Sequence, residues 1–176
     1  AYGKPMRKLF TVPKGWHLCG GDLSQLELRC LAYFLDDDGE YAKQIMDGDI
    51  HTFNQKAAGL PTRDAAKTFI YATTYGGGDA LIGKLVGDNA KDGKRLKSEF
   101  DKNIPSFKSL KNELSQAYKR GYLKGLDGRK LFVRSEHKCL SQLLQSAGAL
   151  LCKKWLAMVD KEITRQQLQN DALILA

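Results

Sequence analysis

Arg63-Asp-Ala-Ala-Lys67-Thr-Phe-Ile-Tyr71-Ala-Thr-Thr-Tyr75-Gly76 is the stretch on which the reading of this chain turns. Residues four apart on an α-helix advance about 40° around its axis, so Arg63, Lys67, Tyr71 and Tyr75 form one slowly drifting stripe. Two cations followed by two aromatic rings suit a face that grips phosphates at one end and stacks on rings at the other. Phe69 and Ile70 fall off the stripe and are placed to anchor the helix to a core. Thr62, after Leu60-Pro61, is an N-cap candidate, and Gly76-Gly77-Gly78 ends the helix. An ordinary amphipathic helix with a solvated arginine and lysine meets the same spacing. The stripe alone leaves both readings open.

Charge widens the view. The 176 residues carry a net charge of +8. Residues 91–138 hold 14 Lys/Arg against 6 Asp/Glu, a surplus equal to the whole net charge, whereas residues 22–50 hold 8 acidic against 2 basic side chains. A basic region suits a polyanion such as nucleic acid, and an acidic one suits hard divalent cations; solvated helix faces are the plain alternative. With 43% hydrophobic residues the chain can build a core as one domain or part of a larger protein. No apolar run is long enough to cross a bilayer, and no signal-peptide pattern opens the chain. Cys19, Cys30, Cys139 and Cys152 form no C-x-x-C pair, which points to reduced thiols in a cytoplasmic setting.

In chain order, Met6 to Val12 after Tyr2-Gly3 reads as a short strand, Pro13-Lys14-Gly15 as a turn, and Trp16 to Gly21 as a second strand. Asp22 is thereby delivered to a sheet edge. Leu26, Leu28, Leu31, Ala32, Phe34 and Leu35 have helical spacing, with Ser24 as N-cap and Glu27 completing a capping box. Asp36-Asp37-Asp38-Gly39 is a loop. Short helices follow at Glu40–Met46 and from His51 to about Ala58, where His51 either hydrogen-bonds locally or offers a donor to an anion. Beyond the Arg63–Tyr75 helix, further helices are expected at Ala80–Val86, Asp88–Asn103 and Pro105–Arg120. Gly121 to Arg134 reads as a basic hairpin turning at Asp127-Gly128. A long helix covers His137 to Thr164, and Asp171 to Ala176 begins a buried strand.

Several of these stretches resemble one family in order and spacing. Asp22-Leu23-Ser24-Gln25-Leu26-Glu27-Leu28-Arg29 resembles motif A of the family-A (Pol I-like) DNA polymerases, and Arg63-x-x-x-Lys67-x-x-x-Tyr71-x-x-x-Tyr75-Gly76 matches their motif B. Gly48-Asp49-Ile50-His51-Thr52, Leu126-Asp127-Gly128-Arg129 and Gln145-Ser146-Ala147-Gly148-Ala149 continue the likeness, which is greatest toward the phage-type branch. The resemblance implies an α+β fold: a right-hand polymerase palm built on a small antiparallel sheet, with mostly helical fingers inserted. Residues 1–35 would be palm strands and the first palm helix, 36–120 fingers, and 121–176 the return to the palm.

It also implies template-directed DNA synthesis in DNA replication, from dNTPs on primer–template DNA, by a two-metal mechanism with two Mg²⁺ ions in the intact enzyme. Asp22 and the backbone carbonyl of Leu23 would be metal ligands. Glu27 would lie under the sugar, hydrogen-bonded to Tyr71, and exclude a ribose 2′-hydroxyl. His51, Arg63 and Lys67 would contact the triphosphate, with Lys67 the general acid toward pyrophosphate. Tyr71 would pack on the incoming base and sugar, Tyr75 on the template side, and Arg134 and Gln145 on the primer–template. A processivity factor and the cytoplasm, a bacterial host's if the protein is viral, fit the same picture. Two departures stand out. Ser141 occupies a position where the family often has asparagine. No H-D-E sequence, the family's second metal-binding motif, occurs in these residues, so the resemblance implies an internal piece that is nearly inactive alone. A single-subunit RNA polymerase and a nonenzymatic nucleic-acid-binding helical protein are the alternatives. Glu27 speaks against the first, and the second leaves the ordered set from Asp22 to Tyr71 as coincidence.

Overall fold

The computed structural model describes residues 5–6, 8–35, 37–87, 89–165 and 172–175. Tyr2, Gly3, Asp36, Asp88, Asp171 and Ala176 lie outside them. The chain forms a mostly helical fold with little sheet, in two compact units: residues up to Ser24 with those from Ala149 onward, and Gln25–Gly148.

In the first unit, Pro13-Lys14-Gly15 makes the expected turn, closed by the Trp16 N–H on the Pro13 carbonyl at 3.0 Å. Strand β1 (His17–Gly20) pairs in parallel with β4 (Ala172–Leu175), His17 opposite Ala172 and Gly20 opposite Leu175. Parallel neighbours need a long crossover, and here it is everything between the two strands. The expected strand at Met6–Val12 does not form. Its described part is taken up by turn bonds from Lys8 and Leu9 back to Pro5 and Met6, and no strand among the described residues pairs with it. β-propensity without a ladder partner is not enough.

The second unit holds helices α1 (Leu26–Phe34), α2 (Glu40–Met46), α3 (Ile50–Ala58), α4 (Arg63–Thr74), α5 (Asp79–Gly83), α6 (Ala90–Asn103) and α7 (Pro105–Lys119). The two-residue strands β2 (Leu123–Lys124) and β3 (Lys130–Leu131) form the small antiparallel ribbon, turning through Asp127-Gly128 as the dipeptide predicts. A 3₁₀ turn (Glu136–Lys138) then leads into α8 (Cys139–Arg165), whose residues through Gly148 belong to this unit. The core is aromatic at its centre. Phe69 of α4 meets Phe100 of α6 edge-on at 5.3 Å, and Phe100 meets Phe107 of α7 at 5.1 Å. Such pairs add about 1 kcal/mol each beyond area burial. Phe69 and Ile70 are fully buried, so they do anchor α4 as their position off the stripe predicts. Tyr41 and Asn54 exchange hydrogen bonds in the core between α2 and α3, and burial pushes the Tyr41 phenol well above its usual range.

The capping box expected at Ser24 is replaced by another entry. Gln25 is the residue before α1, in a left-handed conformation (φ 54°) with no side-chain cap. Cys30, Cys139 and Cys152 are free thiols, the first two buried. Among the described residues no helix is long and apolar enough to cross a membrane.

Candidate functional site

Helix α4 is fixed at its start by local chemistry. The Thr62 hydroxyl accepts the Ala65 N–H at 3.1 Å, satisfying one of the orphan donors of the first turn. Ala66, Phe69, Ile70 and Thr74 turn inward, which leaves Arg63 and Lys67 exposed and Tyr71 half-buried along the other face. Tyr75 is the C-cap, 47% exposed.

The cationic end is organised by Asp49, which residue spacing alone did not single out as a partner of Arg63. The Arg63 guanidinium forks onto Asp49, Nε to Oδ2 at 2.6 Å and Nη2 to Oδ1 at 3.1 Å. Asp49 is also the N-cap of α3: its carboxylate accepts the His51 N–H at 3.1 Å and the Thr52 hydroxyl at 2.9 Å. One carboxylate therefore sets both the start of the helix carrying His51 and the rotamer of Arg63. Hydrogen bonds from Arg63 and then Thr52 hold the Asp49 carboxyl far below the usual carboxylate range, and the same contact raises Arg63. A depressed carboxylate pKa is felt only in acid: the pair's contribution is complete above the ordinary value near 4 and disappears as pH falls through the lowered one. The clamp is thus intact throughout neutral pH.

His51 is buried, 5% exposed, and its ring lies 6.5 Å from that of Tyr71, centroid to centroid. Its Nδ1 is buried with no hydrogen-bond partner among the described residues. Burial first, and the nearby Arg63 charge second, lower its pKa below 6.5; Asp49 opposes this and Lys67 adds to it. Below 6.5 the unfolded chain takes up the proton first. Stability is therefore complete above 6.5 and declines as pH falls from there through the lowered folded value. An NMR titration of the His51 ring is expected to show a midpoint below 6.5, and a midpoint at or above that value contradicts this environment.

The aromatic end gathers a second group. The Tyr75 hydroxyl donates to Glu27 Oε1, and Gln145 stands near enough to the same phenol to lower its pKa slightly. The Glu27 contact is the main reason the Tyr75 pKa is raised. The bond expected between Glu27 and Tyr71 is therefore made by Tyr75 instead. Tyr71 is raised first by its own burial and only then by the nearby Glu27 charge. With its carboxylate turned to Tyr75, Glu27 does not complete a capping box at its own helix. The Ser141 hydroxyl donates to the Lys138 carbonyl at 3.0 Å, so it serves the start of α8. Arg134 is exposed after β3, and Gln145 is exposed on α8.

Asp22 belongs to the other unit, exposed two residues beyond β1, with Leu23 half-buried beside it. Its position is set by a close approach: a Cβ on Gly21 would overlap the indole of Trp155, so only glycine lets that ring lie on the backbone leading to Asp22. Among the described residues no group of three or more His, Cys, Asp or Glu is placed to hold a metal ion.

Comparison with known proteins agrees along the whole chain. The DNA-directed DNA polymerases of Enterobacteria phage T3 and Escherichia phage T7 are each 47% identical over 194 residues, covering 96% of this chain and 28% of theirs. DNA polymerase I of Pseudomonas aeruginosa is 27% identical over 99% of this chain and 21% of its own. The chain thus spans under a third of the length of these relatives. In fold it is similar to the POL domain of Pol1 from M. smegmatis, solved in complex with DNA primer-template and dNTP. The TM-score is 0.76 at 21% identity, over 94% of this chain and 33% of that one. The model of one family, DNA polymerase family A, matches residues 1–176 without remainder, and the chain belongs to that family.

Proposed function

We propose that this chain supplies the nucleotide-gripping surface of a template-directed DNA polymerase, which transfers a nucleotidyl group from a dNTP to a primer 3′-hydroxyl in DNA replication. One observation carries the reading. A single helix presents Arg63 and Lys67 beside His51 at one end, and Tyr71 and Tyr75 beside Glu27 and Gln145 at the other. A triphosphate and its nucleoside have that same polarity.

In this reading Arg63 leaves Asp49 for the triphosphate, exchanging one fork of charge-assisted bonds for another. Lys67 lies one turn further on and gives a proton to the departing pyrophosphate. His51 donates a hydrogen bond to the same phosphates, and the added negative charge raises its pKa toward the protonated form. Tyr71 packs on the incoming base and sugar. Tyr75 is held toward the template side by Glu27, and Arg134 and Gln145 touch primer–template in the minor groove, where acceptors common to all base pairs report geometry. We assign residues 1–35 and 121–176 to the palm and 36–120 to the fingers, and place the protein in the cytoplasm, a bacterial host's if it is viral.

Magnesium fits the oxygen donors of the first unit in part. The ion takes near-octahedral oxygen coordination and commonly needs only one or two carboxylates beside waters and substrate phosphates. Asp22 and the Leu23 carbonyl would hold one side of such a shell, and two bound ions would activate the 3′-hydroxyl and neutralise pyrophosphate charge.

Glu27 favours deoxyribonucleotides over the RNA-polymerase alternative, because a carboxylate fixed by Tyr75 leaves no room for a ribose hydroxyl. Glu27→Ala in the full-length protein is expected to narrow the preference for dNTP over rNTP by at least about tenfold. The reading itself is tested by primer extension with the full-length wild-type protein. Extension with complementary dNTPs is expected, and no extension or a clear rNTP preference overturns it.

A further inference from the structure

Helices α6 and α7 flank a cleft of about 630 Å³ whose lining is almost entirely charged. Five lysines surround it: Lys94, Lys97, Lys102, Lys108 and Lys111. Two are neutralised. Lys97 Nζ donates to Asp79 Oδ1 at 2.7 Å, and Lys111 Nζ to Asp101 Oδ2 at 2.6 Å. Lys94, Lys102 and Lys108 are exposed and form no ion pair with any described residue. Three uncompensated ammonium groups thus share one concave, polar site. Among the described residues no aromatic or apolar side chain lines it, so they offer no platform on which a base or an apolar partner would stack.

The cleft is tied to α4. The ammonium of Lys97 that pairs with Asp79 also donates to the Gly77 carbonyl at 2.7 Å, two residues beyond Tyr75. It therefore adjoins the end of the helix that the polymerase reading places toward the template, and the inference rests on that reading. A volume of about 630 Å³ takes a short piece of one strand and is far too small for a duplex. Point charges without rings select a backbone of phosphates and ignore the bases. We infer that this cleft holds the phosphodiester backbone of the single-stranded template ahead of the insertion site.

The test uses the full-length protein with Lys94→Gln, Lys102→Gln and Lys108→Gln combined, leaving the Lys97 and Lys111 ion pairs in place. Affinity is measured over a range of salt on primer–templates with a long single-stranded template overhang and with a one-nucleotide overhang. Each phosphate contact to a single strand contributes about 0.7 to the slope of log affinity against log salt. The variant is expected to lose about tenfold in affinity on the long overhang, with a slope shallower by about 2, and to match wild type on the short one. Equal loss on both substrates, or no loss on either, overturns the inference. So does unchanged DNA binding with lost binding of poly-glutamate, which would assign the cleft to an acidic protein segment. If the wild type extends primers and the variant shows no overhang effect, this inference alone has failed. If the wild type extends nothing, the polymerase reading has failed.

Discussion

Replacing Lys67 with alanine in the full-length protein is expected to slow single-turnover dNTP incorporation by about 10²- to 10⁴-fold, the usual worth of a positioned general acid. Primer–template affinity should stay close to wild type. The reason lies in where Lys67 stands. It is exposed on α4, a turn beyond Arg63, with its charge close enough to lower the His51 pKa, and no described carboxylate pairs with it. Its removal costs the fold little: the residue is exposed, and alanine is the best helix former. Lys67→Arg keeps the charge but replaces a compact ammonium with a guanidinium, which does not release its proton in proteins. It should therefore restore nucleotide binding without restoring the rate. A loss below tenfold for the alanine variant, or full rescue by arginine, would remove Lys67 from the proton-transfer role.

The largest stability effect is expected far from the stripe, where α5 crosses α6. A Cβ on Gly93 would overlap the Asp79 carbonyl and stand 2.9 Å from the Gly83 nitrogen; one on Gly83 would overlap the Asn89 carbonyl. The two backbones are in direct contact, and Ile82 and Leu96 are fully buried beside them. Gly93→Ala has to separate the helices, loosening those two residues and the Lys97–Asp79 pair. Overpacking against backbone costs about 3 kcal/mol, which outweighs the roughly 1 kcal/mol that alanine gains over glycine in an unobstructed helix. Amide hydrogen exchange on the full-length protein should show α5 and α6 deprotected in Gly93→Ala and unaltered in Lys91→Ala, an exposed change on the same helix. Unchanged or increased protection in Gly93→Ala would contradict the crossing.

These two sites differ in how far residue spacing exposes them. The bounds of α4, its Thr62 cap and its Phe69–Ile70 anchor follow from neighbours within a turn or two, and the structure has all three. The Asp127-Gly128 turn is equally local. Failures begin where the deciding partner is distant in sequence. Met6–Val12 has the composition of a strand, but a strand exists only by pairing, and its described part closes on itself through turns. Glu27 has the spacing of a capping box, yet its carboxylate is taken by Tyr75, 48 residues away. Spacing hides the Asp49–Arg63 fork too, because the residues stand 14 apart on different helices. The available signal was Asp49-x-His51-Thr52, a local N-cap pattern whose two carboxylate oxygens each keep a lone pair for a cation. The Gly83–Gly93 crossing leaves no periodic trace at all.

The proposed function stands on the polarity of α4, and truncating the ligand tests it most directly. With the full-length protein bound to primer–template, equilibrium affinities are measured for dNTP, dNDP and dNMP in wild type, Arg63→Ala and Tyr71→Ala. Arg63→Ala should weaken dNTP binding while leaving dNMP close to wild type, so that the advantage of the longer phosphate chain collapses. Tyr71→Ala should weaken all three alike. Equal losses for both variants across the series, or a phosphate-independent loss in Arg63→Ala, would contradict a helix that holds phosphates at one end and the nucleoside at the other.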